Sequence, residues 1–271
     1  MIEIHKNRAI ITLAGPERKN LLQSIITANI NHLGNDRGLY AALLTPQGKF
    51  LHDFFLYEDN EIIYLDCERD RIADLFRRLL MYRLRSKVEI TDCSRNFSVI
   101  TSNKKINGYD LNFTDPRHSE MGCRAIVEID TKGAKEDTYH TRRIALGIPE
   151  GSHDFIVEKS TILEGHFEQI HGVDFEKGCY VGQEVTARMK YRGTIKKLIF
   201  PVTLSGSAPP FDSIITNELG QKIGNLRSHH KSSALAIFRL EKMEFGQSYD
   251  CCNIKLKPYM PDFYVENTNV S

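Results

Sequence analysis

LYAALLTPQGKFLHDFFLYEDNEIIYLD, residues Leu39 to Asp66, reads as three strands joined by two tight reversals. LYAALL is a short apolar run, the pattern of a buried strand, and it stops at the turn Thr45-Pro46-Gln47-Gly48. FLHDFFLYE follows, the polar corner Asp59–Asn60 reverses the chain, and IIYLD returns. Before this unit, Ile2–Leu13 alternates as a strand or hairpin. Gly15–Pro16 then opens a helix with Leu21, Leu22, Ile25 and Ile26 at helical spacing. After it, Arg69–Leu84 is amphipathic, with Ile72, Leu75, Phe76, Leu79 and Leu80 forming the stripe. KVEITD and FSVIT add further strands. Strands, helix, then strands again make an α+β pattern with antiparallel sheet, not a doubly wound one.

The remaining chain divides by texture. Ile106–Met121 is polar and turn-rich, CRAIVEID is strand-like, and a helix is expected over Lys135–Leu146, ended by Gly147 and Pro149. A second helix is expected over Glu184–Tyr191. From Thr194 the runs TIKKLIFPVTL, KIGNLRS, SALAIFRLE and NIKLKPYM are short, β-rich and spaced by turn residues. This predicts an α+β domain over 1–193 and a small β-barrel domain over 194–271.

Composition narrows the function classes. Hydrophobic residues make up 41% and charged residues 26%, ordinary values for a soluble globular protein. A formal charge of +1 argues against a generally basic nucleic-acid binder, so no direct nucleic-acid partner is expected. No apolar run approaches the roughly 18 residues that span a bilayer. MIEIHKNRAIITL has neither signal- nor transit-peptide character. A cytosolic protein is the simplest expectation, or a matrix protein after removal of a transit peptide. Cysteines stand at 67, 93, 123, 179, 251 and 252 with no C-x-x-C, which suggests dispersed reduced thiols. P-loop, G-x-G-x-x-G and H-E-x-x-H patterns are missing from the sequence.

EKGCYVGQE, Glu176 to Glu184, is the segment with the densest chemistry. Lys177 and the helix start after Cys179 would both favour a thiolate. Gly178 and Gly182 would let the backbone bend tightly and a ligand approach it. Gln183 and Glu184 bring amide and carboxylate groups to the same corner. A gap-filling core cysteine is the plainer alternative, because free cysteine is among the most buried residue types. His166 and His171 are near in sequence, but no base–orienter pair can be read, so cysteine-hydrolase chemistry does not follow. Lys177, Arg188, Lys190, Arg192, Lys196 and Lys197 face one acid, Glu184, over this stretch, enough to hold an anion if they share a surface. Arg77, Arg78, Arg83 and Arg85 lie on a helix whose other face is apolar, the usual composition of a solvated surface helix.

KGCYVGQE followed by ARM and RG resembles the signature of the folate-binding YgfZ family. These proteins are relatives of the aminomethyltransferase (T-protein) of glycine cleavage and are linked to iron–sulfur cluster maturation. LLQSIITANI, LYAALLTPQGKFLHDFFLYE, YRLRSKVEITD and RRIALGIPEG fall in the family's order, so the resemblance covers about 1–197. It implies a tetrahydrofolate-binding domain of ferredoxin-like α+β units, closed by a C-terminal β-barrel. By position, Glu164 resembles the carboxylate that holds the pterin, and Asp53 the second acid of the T-protein's pair, with His52 in place of the first. Asn29 and His166 depart from the family pattern where folate contacts are expected.

The resemblance implies a folate-dependent accessory factor for assembling or repairing iron–sulfur clusters in client enzymes, and not a conventional enzyme. Cys179 is then the functional thiol, tuned by Lys177. Glu164, Asp53, Gly178, Gly182, Gln183, Glu184 and Arg188 are the expected folate-side residues, and no metal site is expected. A lone thiol does not hold a cluster by itself. A folate-dependent aminomethyl or other one-carbon transferase is the alternative. A client-docking module acting through the basic Lys177–Lys197 stretch is a third reading.

Overall fold

The computed structural model describes residues 2–34, 37–129, 138–193 and 195–264. β1 (Glu3–His5) and β2 (Arg8–Ala14) lead into α1 (Arg18–Ile25). β3 (Leu39–Leu44), β4 (Phe50–Asp59) and β5 (Ile62–Glu68) are the three strands read from Leu39–Asp66, followed by α2 (Ile72–Arg83), β6 (Glu89–Asp92) and β7 (Phe97–Ser102). β8 (Asn112–Thr114) and β9 (Cys123–Glu128) precede α3 (Thr138–Ala145), the single turn α4 (Gly151–Asp154) and α5 (Gln183–Tyr191). β10 (Lys197–Leu204), β11 (Ile214–Thr216), β12 (Lys222–His230), β13 (Ser233–Arg239), β14 (Tyr249–Cys251) and β15 (Ile254–Pro258) complete the described chain.

These elements make one mixed α+β body and a barrel. A five-stranded antiparallel sheet has the order β3-β4-β5-β2-β6, and a four-stranded sheet has the order β1-β7-β9-β8. The barrel β10-β13-β12-β11-β14-β15 closes where Val202 to Leu204 pair with Pro258 to Leu256. Closure leaves no free edge. Thr194, at the expected domain boundary, lies outside the described residues, as do 130–137 before α3.

The five-stranded sheet is covered on both faces, which explains why LYAALL does not alternate. Ala9, Ile11, Leu13 and Phe54 pack under Leu21, Leu22 and Ile25 of α1 and Leu75 and Leu79 of α2. On the other face Ile10, Tyr40, Ala42 and Phe55 meet Val99 and Ile126 of the second sheet and Ile199, Leu235 and Ile237 of the barrel. All six residues of β3 are buried in consequence.

Three local readings change. Ile2–Leu13 is not a hairpin: β1 pairs with β7 in the second sheet, while β2 pairs with β5 and β6. The reversal after β4 falls at Asn60 and Glu61, both at positive φ (46° and 63°), so Asp59 stays in the strand. The polar segment 106–121 contains β8, an edge strand of only three residues whose pairing its composition does not announce.

Candidate functional site

The signature segment packs against the end of α1 and the β3–β4 turn. Asp174 begins it as a turn residue, its Oδ1 accepting from the amides of Glu176 and Lys177. Lys177 is buried, and its ammonium donates to the carbonyls of Ile26 (2.6 Å) and Ala28 (2.8 Å). Burial pushes its pKa down to about 8, with Asp174 opposing. Lys177 is therefore a strut that ties the loop to the Thr27–Asn29 segment, its charge turned toward main-chain carbonyls. It also leaves the basic face expected over Lys177–Lys197. Arg188 is spent on Glu184 across one helical turn, and Lys190 pairs with Glu168, so that stretch is not one open cationic surface.

The two signature glycines play unequal parts. Gly182 caps α5 at φ 85°, and a β-carbon there would stand 2.6 Å from the Thr45 carbonyl oxygen and 3.1 Å from the Gly48 Cα. Only glycine lets α5 begin this close to the β3–β4 turn. Gly178 is exposed, its φ lies outside the left-handed region, and no atom lies within 4 Å of where its β-carbon would stand. The tight bend expected there is not formed.

Between these two anchors Cys179 is exposed and free of disulfide bonding. It precedes α5 by a short turn, with Tyr180 packed inward beside it and Gln183 donating its amide to the Tyr180 carbonyl. Among the described residues no group of three or more histidine, cysteine or carboxylate side chains is placed to hold a metal ion.

The expected folate contacts do not converge. Glu164 sits in a 3-10 turn, accepts the Thr161 amide at 3.0 Å, and lines a cavity of about 310 Å³ shared with the barrel. Burial raises its pKa against the Thr161 amide and the charges of Lys197, Lys49 and Arg227. Lys159, Lys197, Lys222, Arg227 and Arg239 line the same cavity, with Asp212 the other acid. Arg227 is 4% exposed and its Nε has no acceptor. Asp53 lies elsewhere: its Oδ2 accepts from Tyr40 (2.6 Å) and the Gly151 amide (3.0 Å), and burial raises its pKa over the opposing charge of Arg8. Aromatic rings fill the way between them. Phe155 stacks on Phe50 and touches Phe167, Phe167 meets Tyr40, and the β-carbon of an alanine at Gly165 would strike Phe155 at 2.2 Å. Glu164 thus lines an open cavity, and Asp53 is buried away from it.

Asp53 instead belongs to a buried ionic layer between the two sheets. Arg8 and Arg124 both bind Asp66 at 2.6 Å, and Arg117 binds Asp115 and Glu150 at 2.8 and 2.9 Å. Arg124 lies 3.9 Å over the Phe55 ring. Burial opposes ionisation of Glu150, but Arg117, Arg8, Arg143 and Arg124 outweigh it and hold its pKa well below the usual carboxylate range. No motif of the sequence announces this layer. Its trace is charge on the inward phase of the strands, Asp53 two before Phe55 and Asp66 two after Tyr64. His52 and His166 are likewise structural: His52 binds Asp74 at 2.9 Å, and His166 binds the Ile199 carbonyl at 2.7 Å.

A second cavity, about 560 Å³, opens at the start of the signature segment, beside Asp174, Phe175 and Glu176. Asn29, His32, Arg37, Glu168, His171 and Asp174 are among its walls. Asn29 is held there by the side-chain amide of Gln23.

Residues 196–264 match the CAF17 C-terminal beta-barrel domain. In an alignment of 236 positions that covers 75% of this chain, the sequence is 32% identical to the mitochondrial iron-sulfur cluster assembly factor IBA57 homolog of Neurospora crassa, covering 54% of that protein. In an alignment of 275 positions, gaps included, it is 29% identical to the mitochondrial IBA57 of Mus musculus, covering 88% of this chain and 77% of the relative. The chain spans about half the length of the Neurospora crassa and Pyricularia oryzae relatives (54% and 56%). In structure it resembles the glycine cleavage system aminomethyltransferase T of Bartonella henselae, with a TM-score of 0.76 over 97% of this chain and 86% of that one. Identity there is 13%, so this likeness establishes the T-protein-like fold and nothing of the activity.

Proposed function

We propose that the protein is an accessory factor in iron–sulfur cluster assembly and that Cys179 is its working thiol. The observation that carries this reading is an exposed thiol on a loop fixed at both ends, by Lys177 on the Ile26 and Ala28 carbonyls and by Gly182 under the β3–β4 turn. Ordering a loop costs free energy, and here the ordering holds a polar, reactive group in solvent. The names of the relatives point the same way.

One thiolate offers one ligand, whereas clusters take several. The cluster is therefore cargo here, and its other ligands come from the protein that delivers or receives it. The relatives are named as mitochondrial, which favours the matrix over the cytosol, and no described helix is long and apolar enough to cross a membrane.

We further propose that tetrahydrofolate binds at Glu164. Its cavity of about 310 Å³ is at the small end for ligand sites and suits a two-ring head with the tail leading outward. A carboxylate beside the ring edge and cations around the mouth match a donor-bearing pterin and an anionic tail. A bound tetrahydrofolate supplies one-carbon or reducing chemistry; Glu164 orients it, and Lys197, Lys222 and Arg239 attract its tail.

The test is transfer of a cluster to an apo client enzyme, followed by the client's regained activity, with and without the protein. Acceleration by catalytic amounts is expected. An unchanged rate with every client tried would end the proposal.

A further inference from the structure

The end of α2 carries features that the fold does not use. Leu80, Met81 and Leu84 are 37%, 58% and 83% exposed, and they occupy one side of the helix, at spacings of one and four residues. All three lie outside the core cluster that α2 builds with Leu75 and Leu79. Leu84 is the C-cap, with φ 46° and ψ −111°. Glycine or asparagine is the usual residue where a helix ends at positive φ; a leucine there bears backbone strain and places an apolar side chain in water.

The chain around this stripe is predominantly cationic. Residues 75–88 contain Arg77, Arg78, Arg83, Arg85 and Lys87 and no acid. Asp74 takes Arg77 and Arg78, while no ion pair of Arg83, Arg85 or Lys87 occurs among the described residues. Leu84, Arg85, Ser86 and Glu17 line an open depression of about 680 Å³, and the Glu17 carboxylate is already engaged by the Lys87 amide at 2.5 Å.

We propose that this end of α2 is a docking surface for an acidic, amphipathic helix of a partner protein. The exposed leucines and methionine receive the helix's apolar side, and Arg83, Arg85 and Lys87 meet its carboxylates. A second copy of the chain is disfavoured, since it would bring like charges together. A bilayer is disfavoured because Leu84, the most exposed of the three, borders an open depression, which accepts a protruding side chain. The inference does not depend on Cys179 or on the folate reading.

Fluorescence anisotropy of the full chain with a labelled 18-residue peptide, leucine on one helical face and glutamate on the other, tests it. Saturable binding that weakens as salt rises is expected. Leu84→Gly should weaken it about tenfold, the effect of losing one buried leucine, while thermal stability holds or rises because glycine suits the backbone there. Arg85→Glu with Lys87→Glu should abolish it. Leu219→Gly, a control at an 80% exposed leucine on the barrel, should change nothing. No saturable binding, equal loss with Leu219→Gly, or preferential binding to phosphatidylglycerol vesicles would overturn the proposal.

Discussion

Alanine substitution at the two signature glycines should give opposite results, although the sequence treats them alike. At Gly182, φ is 85° and the new β-carbon meets the Thr45 carbonyl oxygen at 2.6 Å, a main-chain atom that cannot swing aside. Left-handed backbone costs a non-glycine residue roughly 1–2 kcal/mol, and forcing a methyl group into a packed contact adds roughly 1–3 kcal/mol. Gly182→Ala should therefore lose about 2–5 kcal/mol, a large share of the 5–15 kcal/mol typical of a folded protein. At about 2–4 °C per kcal/mol for a large domain, Tm falls by roughly 4–20 °C. Gly178→Ala meets open space, and losing glycine's unfolded-state freedom should stabilise by up to about 1 kcal/mol. Calorimetry and urea titration of both variants provide the assay. Tm values for the two variants within about 1 °C of each other would refute the assigned geometry of the loop.

Other substitutions test the surrounding structure. Arg124→Met leaves one oxygen of buried Asp66 without its donor and should cost about 3–5 kcal/mol in urea unfolding. Glu164→Gln keeps an acceptor for the Thr161 amide yet removes the charge beside the cavity; calorimetric titration should show tetrahydrofolate affinity falling at least tenfold with Tm unchanged. His5, His52 and His166 are buried, and burial lowers their pKa values to about 3, 4 and 4. Each takes up its proton more readily unfolded than folded, so stability is full above pH ~6.5 and is lost as pH falls toward 4, by up to about 3 kcal/mol for His166. His166→Gln should make the fall of the urea midpoint over that window shallower, with His5 and His52 supplying the remainder.

Much of this architecture was legible. The hairpins from Leu39 to Asp66, the stripe of α2 apart from Leu80, which stands exposed outside the core, and the β-rich run after Thr194 follow from spacing alone, because burial of one face or both writes itself into the order of apolar residues. β11 and β14, three residues each, were not legible, since strands that short are defined by their neighbours' hydrogen bonds. The site divides the same way. Cys179 and Gly182 stood out as a rare residue and a backbone requirement. Lys177 looked like a neighbour that could tune the thiol, yet tertiary packing turned it toward Ile26 and Ala28. Asp53 stands where the resemblance places a folate-side acid, yet Tyr40 and the Gly151 amide take up its carboxylate. Sequence position identifies a residue's type, whereas its partners come from contacts between chain segments far apart in sequence, 98 positions in the case of Gly151.

The central claim is that the exposed thiol of Cys179 does the protein's work, and a matched pair of serine substitutions tests it most directly. Cys179 and Cys252 are both exposed, so neither Cys179→Ser nor Cys252→Ser should alter stability by more than about 0.5 kcal/mol. Cells lacking the protein are supplied with each variant, and the activity of iron–sulfur client enzymes is measured against a cluster-free enzyme. Loss of client activity with Cys179→Ser and full rescue with Cys252→Ser is the predicted result. Full rescue by both would contradict the account.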